Sequence, residues 1–164
     1  MGTGKTTVGR LLAQRLDREF VDTDAIIERR HGSIASIFAD RGEAAFRAIE
    51  RAVAAELAER EALVIATGGR LMLDPANEAT LGATGHVFCL AAEPAIVLAR
   101  VLADAERVER PLLAVDDPHR RIVELLDERS PGYARFRQVD TAERPPTAVA
   151  DEILRLVGDD IDID

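Results

Sequence analysis

At 164 residues the chain is long enough for one domain with a real core and no disulfide staples. A formal charge of −9 argues against nonspecific nucleic-acid binding, which depends on a basic surface. With 4% aromatic residues and no tryptophan, the chain also lacks stacking platforms for single strands. Cys89 is alone, so no disulfide can form within the chain, which suits a reducing compartment. No run is apolar enough to span a membrane and no leader is recognisable, so a cytoplasmic protein without a membrane partner is expected.

The first residues are Met1-Gly2-Thr3-Gly4-Lys5-Thr6-Thr7. Gly4-Lys5-Thr6 is the end of the G-x-x-x-x-G-K-[ST] pattern, whose backbone N–H groups wrap a nucleotide's phosphates while the lysine reaches the outer ones. Lys5 is the only lysine in the chain, and it stands where a compact ammonium is wanted. A chance turn before a helix is the competing account. Val8, Leu11, Leu12 and Leu16 recur at helical spacing, so the loop is expected to open onto a helix whose positive end faces the phosphates. The pattern's opening glycine and the strand that feeds the loop would precede Met1, so the natural start is expected upstream. That strand would lie mid-sheet, and without it two neighbours would keep unpaired backbone groups, each costing roughly 1–3 kcal/mol.

Glu19 to Asp24 reads as a short strand ending in polar residues, followed by short helices over Ile26–Arg30 and Ile34–Asp40, broken at His31-Gly32. Glu43 to Glu59 reads as a longer helix with Phe46, Ile49, Val53 and Leu57 as its apolar stripe. Leu63 to Ala66 has the continuous apolar character of a strand buried on both faces, and His86 to Leu90 reads as another. Helices are expected from about Pro94 to Ala103, over His119–Glu128 and over Thr147–Val157, with a weak strand over Phe136–Asp140. The polar, proline-bearing stretch near 104–118 suits a lid. The acidic tail 159–164 is expected to be solvated and frayed. Alternating strands and helices predict a P-loop-like three-layer α/β/α sandwich around a mainly parallel sheet, its first, central strand missing from this chain. Residues 1–158 read as a single domain.

Other constellations lie along these elements. Asp22 and Asp24, two apart at a strand end, would project from one face. Beside a phosphate loop such a pair can hold hydrated magnesium and accept a proton from a hydroxyl; strand-end turn chemistry and a helix cap are the alternative. Gly68-Gly69 after a buried strand allows close approach of another molecule, or is an ordinary turn. Arg47 and Arg129 could form two forks on one carboxylate, or could each be a solvated charge. Arg110, in Arg110-Pro111-Leu112-Leu113, could close over a transferring phosphoryl group, or could sit in a solvated loop.

Taken in order, Gly-Thr-Gly-Lys-Thr-Thr-Val-Gly-Arg, Asp-Thr-Asp, Gly-Glu-x-x-Phe-Arg-x-Ile-Glu, Ala-Thr-Gly-Gly, Arg-Pro-Leu-Leu and Arg-x-Pro-x-Tyr resemble the shikimate kinase family. The family moves the terminal phosphoryl group of ATP to the 3-hydroxyl of shikimate, in aromatic amino-acid biosynthesis. The resemblance runs from Gly2 to about Thr141. It implies that Gly2, Thr3, Gly4, Lys5, Thr6 and Thr7 cradle the phosphates, with Thr6 on magnesium and Asp22 holding the ion through water. It further implies that Asp24 binds a ring hydroxyl and could act as base, that Arg47 and Arg129 grip the acceptor carboxylate, and that Gly69, next to Gly68, lines the pocket. Arg110 would cover the phosphates, and Arg144 would border the adenine. Lys5, Asp24 and Arg110 are thus the expected catalytic residues, with ATP and shikimate as ligands of a monomer. A related kinase with another hydroxy-acid acceptor, or a non-catalytic ligand sensor, is the alternative. Arg70 stands where the family has its third pocket glycine.

Overall fold

The computed structural model describes residues 2–103 and 117–161. The expected lid therefore falls almost wholly outside the described residues, and Arg110 with it. The chain resolves into two compact units, one of Met1–Val8 with Val87–Asp164 and the other of Gly9–His86. Helix α1 (Lys5–Leu16) begins in the first and continues into the second.

In the Gly9–His86 unit, β1 (Glu19–Asp22) pairs in parallel with β2 (Leu63–Ala66), with Asp22 opposite Ala66. That register sets the carboxyl ends of both strands side by side, where parallel α/β sheets place their ligands. From β1 the chain turns directly into α2 (Thr23–His31), whose N-cap is Asp22. Helix α3 (Ile34–Ala58) is capped by Ser33, which accepts a hydrogen bond from the Ser36 N–H at 3.1 Å. Gly42 takes a non-helical conformation inside it (φ 76°, ψ 171°), so the span is two helices, 34–41 and 43–58, meeting at a break where two helices are expected. The apolar stripe faces inward as expected: Phe46, Ile49, Val53 and Leu57 are all buried, alongside Ile27 and Ile37. After β2 come a 3-10 turn (Leu71–Leu73) and α4 (Pro75–Gly82), which packs on α3.

The other unit contains β3 (Phe88–Ala91), α5 (Pro94–Ala103), α6 (Pro118–Tyr133), β4 (Arg137–Asp140) and α7 (Pro146–Ile161). Strands β3 and β4 are parallel, Phe88 opposite Arg137. Val97, Val101 and Ile122 form its buried centre, flanked by Ala92, Leu98 and Leu126.

The parallel α/β class stands, with four departures in detail. The described strands form two two-stranded sheets, one in each unit. Strand β2 is fully buried only at Ala66, its other three residues being half-buried. Helix α6 runs on through Pro131 to Tyr133, and so carries Arg129 on a helix interior. Helix α7 continues to Ile161, into the stretch expected to fray. Among the described residues no helix is long and apolar enough to cross a membrane.

Candidate active site

The phosphate loop is built from backbone geometry. Gly4 has φ +85°, a region that L side chains rarely adopt, and it is followed at once by α1, whose Val8 N–H donates to the Gly4 carbonyl at 2.9 Å. Lys5, Thr6 and Thr7 are therefore the first turn of a helix, with the positive end of its dipole at the loop. A Cβ on Gly2 would meet the Val97 carbonyl oxygen and the Val101 side chain at 3.0 Å, so the loop lies against α5. Arg100, also on α5, anchors it. Its Nη1 lies 3.5 Å from the Gly2 carbonyl oxygen and donates to Thr141 Oγ1 at 2.9 Å, while Nη2 donates to the Thr141 carbonyl. Buried Thr141 in turn donates its N–H and hydroxyl to the Ala91 carbonyl at 2.8 and 3.0 Å. The loop's start is thereby tied to the ends of β3 and β4. Neither Arg100 nor Thr141 carried a sequence signal for this role.

A second cluster forms at the carboxyl ends of β1 and β2. Here the expected geometry is corrected. Asp24 does not leave the strand face beside Asp22, because the strand stops at Asp22 and Asp24 is the second residue of α2. Asp22 Oδ1 accepts the Asp24 N–H at 3.1 Å and the Ala25 N–H at 3.4 Å, so the capping alternative is realised. Asp24 occupies the first turn, where a negative charge is favoured.

Asp24 reaches the glycine loop. A Cβ placed on Gly68 would lie 2.5 Å from Asp24 Oδ1 and 3.4 Å from Glu50 Oε1. Only a residue without a side chain allows that approach. Gly68 is fixed by its N–H, which donates at 2.9 Å to the hydroxyl of fully buried Thr23. Thr23, between the two aspartates, is thus the strut that sets the loop against α2.

Arg47 borders the same corner, held by two carboxylates. Its Nη1 donates to Glu50 Oε2 at 2.5 Å, and its Nε and Nη2 both donate to Glu43 Oε1, at 3.2 and 2.9 Å. The guanidinium also lies 5.2 Å from the centre of the Phe46 ring. Arg70 reaches Glu43 as well, Nη1 to Oε1 at 3.7 Å. Burial, partly offset by Arg47, pushes the Glu50 carboxyl above its ordinary pKa, and the nearby charges of Asp24 and Asp74 push it the same way. Arg47 first, and Arg70 more weakly, hold the exposed Glu43 carboxyl below its ordinary range. Glu43 and Glu50 sit four residues before and three after Arg47, the one pattern through which a sequence could have exposed this grip.

A raised acid pKa means that the folded chain binds more protons than the unfolded one. Stability owed to Glu50 is therefore present below the ordinary glutamate pKa of about 4.3 and lost as pH rises through its raised native value. Thermal melts across pH should show wild type losing stability relative to Glu50→Gln as pH rises through that window. Parallel curves would mean that the carboxyl titrates as in the unfolded chain.

Arg129 and Arg144 lie in the other unit. Arg129 is half-buried on α6, and its Nε is buried with no hydrogen-bond partner among the described residues. A buried guanidinium nitrogen without an acceptor is costly, which suits a group that receives an anion. Arg144 is differently placed: it donates to Glu152 and to the Asp140 and Ala148 carbonyls, so its charge is committed to the base of α7. Among the described residues no cluster of three or more His, Cys, Asp or Glu could hold a metal ion.

A glycine-framed phosphate loop feeding a helix, with a carboxylate at the ends of parallel strands, defines a P-loop α/β protein of the kinase type. The shikimate kinase family model matches residues 1–157, and the chain belongs to that family. It is 42% identical over 158 residues to a shikimate kinase of Caldanaerobacter subterraneus subsp. tengcongensis, covering 94% of this chain and 90% of the relative. A shikimate kinase of Halorhodospira halophila is 49% identical over 140 residues, 85% of this chain and 77% of that one. Among solved structures, the shikimate kinase from Acinetobacter baumannii in complex with shikimate is similar with a TM-score of 0.88 and 39% identity. That match covers 98% of this chain and 89% of the other.

Proposed function

We propose that this chain transfers the γ-phosphoryl group of ATP to the 3-hydroxyl of shikimate. The observation that carries this reading is the corner in which the Asp24 carboxylate meets Gly68 beside Arg47. A small hydroxylated acid needs those parts: an acceptor for its hydroxyl proton, a glycine floor and a cation for its carboxylate.

In this reading Gly2 to Thr7 wrap the phosphates, and Lys5 balances the charge that spreads over the transferring group. Asp24 orients the acceptor hydroxyl and takes its proton, while Arg47, Arg129 and Gly69 hold the acid. Arg110 covers the phosphates, and Arg144 borders the adenine through its side-chain stem. The Thr6 hydroxyl and Asp22 carboxylate are hard oxygen donors, and a site of so few protein ligands fits magnesium, which keeps most of its waters. Asp22 would serve through water while its Oδ1 caps α2. When bound, magnesium supplies neutralising charge on the phosphate oxygens. The enzyme works in the cytoplasm as a monomer.

A coupled assay of ADP release, run with and without shikimate and with a panel of other hydroxy acids, tests the reading. Release that depends on shikimate is expected. Release that depends only on another acid, or none from a folded chain that binds ATP, would overturn it.

A further inference from the structure

Two carboxylates, Glu43 and Glu50, hold Arg47, and Glu43 also reaches Arg70. Asp74, the next acid, is already matched by Arg51 at 2.8 Å. The two partners of Arg47 also differ. Glu50 is 2% exposed and cannot leave without unpairing a buried group. The Glu43 side chain is 55% exposed, beside the Gly42 kink, and it occupies the Nε–Nη2 edge of Arg47. That edge is the fork best shaped to take a carboxylate in two parallel hydrogen bonds. An incoming acid meets Glu43 already seated there.

Arg70 approaches the same oxygen. Its Nη1 is 3.7 Å from Glu43 Oε1, which Arg47 Nη2 holds at 2.9 Å, and its side chain is 42% exposed. The two guanidinium groups thus share one carboxylate oxygen.

We propose that Arg70 is a positioning residue for acceptor binding: it takes Glu43 from Arg47 as an anionic acceptor arrives, and so frees the Nε–Nη2 edge for the acceptor's carboxylate. Among the described residues Arg47 and Arg70 are the cations that act on Glu43, so without Arg70 it stays on Arg47 and competes with the acceptor. The inference rests on the proposed function, because it takes shikimate as the acid.

The test is a double-mutant cycle on the full chain, with wild type, Arg70→Gly, Glu43→Gln, the double variant and Arg70→Lys. The readouts are kcat, KM for shikimate and KM for ATP, with calorimetric titration of shikimate as a measure that needs no turnover. Arg70→Gly is expected to raise KM and Kd for shikimate about fivefold, the size of coupling between charged side chains in contact. Its kcat and its KM for ATP should stay near wild type. Arg70→Lys should recover most of the loss. In the Glu43→Gln background, removing Arg70 should cost little, because the competitor is gone.

Unchanged or tighter shikimate binding in Arg70→Gly overturns the proposal and makes Arg70 an idle or obstructing group. An equal loss with and without Glu43 also overturns it, because Arg70 would then act on the acceptor directly or on the fold. Wild type that neither binds nor phosphorylates shikimate defeats the functional reading and this inference together. Wild-type activity with a flat cycle defeats this inference alone.

Discussion

Asp24→Asn is expected to lower turnover of shikimate by about a hundredfold to a thousandfold, the usual worth of a positioned general base. The variant keeps the size and most of the hydrogen-bonding capacity of the side chain, and its N–H still donates to Asp22 Oδ1. The start of α2 is therefore preserved, and so is the buried bond from the Gly68 N–H to Thr23. What disappears is the ability to accept a proton, together with one negative charge beside Glu50. Losing that charge should also lower the pKa of Glu50, since Asp24 is one of the groups that raises it. The expected signature is thus a large fall in kcat, a small change in KM and an unchanged melting temperature. Turnover within a few-fold of wild type would remove Asp24 from the chemistry and leave it an orienting group. A fall in kcat matched by a lost fold would show only that α2 needs its carboxylate.

The phosphate loop and the α3 stripe were legible because they are local. A glycine before Lys-Thr and a helical repeat of Val8, Leu11 and Leu12 are properties of consecutive residues, and α5 begins and ends at the residues its periodicity marks. Strand β1 was legible in kind but not in length. Asp22 as an N-cap ends it two residues early, and capping competes with strand propensity only once the helix after it exists. Helix α4 gave no signal. Its sequence carries no apolar stripe, and only Asn77 and Leu81 are buried on it. Asn77 earns its place through a tertiary bond, Nδ2 to the Leu71 carbonyl at 3.0 Å.

The site divides in the same way. Arg47 was visible as a cation beside a core phenylalanine, and Glu43 and Glu50 stood in the same motif without a role. Their roles follow from burial: Glu50 faces inward and Glu43 outward, so one is a fixed counterion and the other a movable one. The strut from Thr23 to Gly68 spans 45 residues of sequence, and no local pattern predicts it. The ion pair of Arg70 with Glu43 joins residues 27 positions apart, beyond the reach of any local pattern.

Gly68→Ala is expected to cost about a hundredfold in shikimate turnover with little loss of stability. The added Cβ would lie 2.5 Å from Asp24 Oδ1, a distance at which something must shift. The backbone of Gly68 is held by Thr23 from one side and by the Leu71 N–H, which donates to its carbonyl at 3.2 Å, from the other. The atom that can move is the end of the Asp24 side chain, which is only half-buried. Rotating it away relieves the contact at small cost, well inside the roughly 1–3 kcal/mol of a typical overpacking, but takes the carboxylate off the acceptor hydroxyl. Glu50 Oε1, at 3.4 Å from the same point, needs no comparable adjustment, so Arg47 keeps its buried partner and the acid-binding half of the site survives. Binding of shikimate should weaken less than turnover. The decisive comparison is the double variant. If Gly68→Ala acts by displacing Asp24, it should add almost nothing to Asp24→Asn, because the group it displaces is already inert. Fully additive losses would place the effect of Gly68 elsewhere, in direct contact between the glycine floor and the acceptor ring.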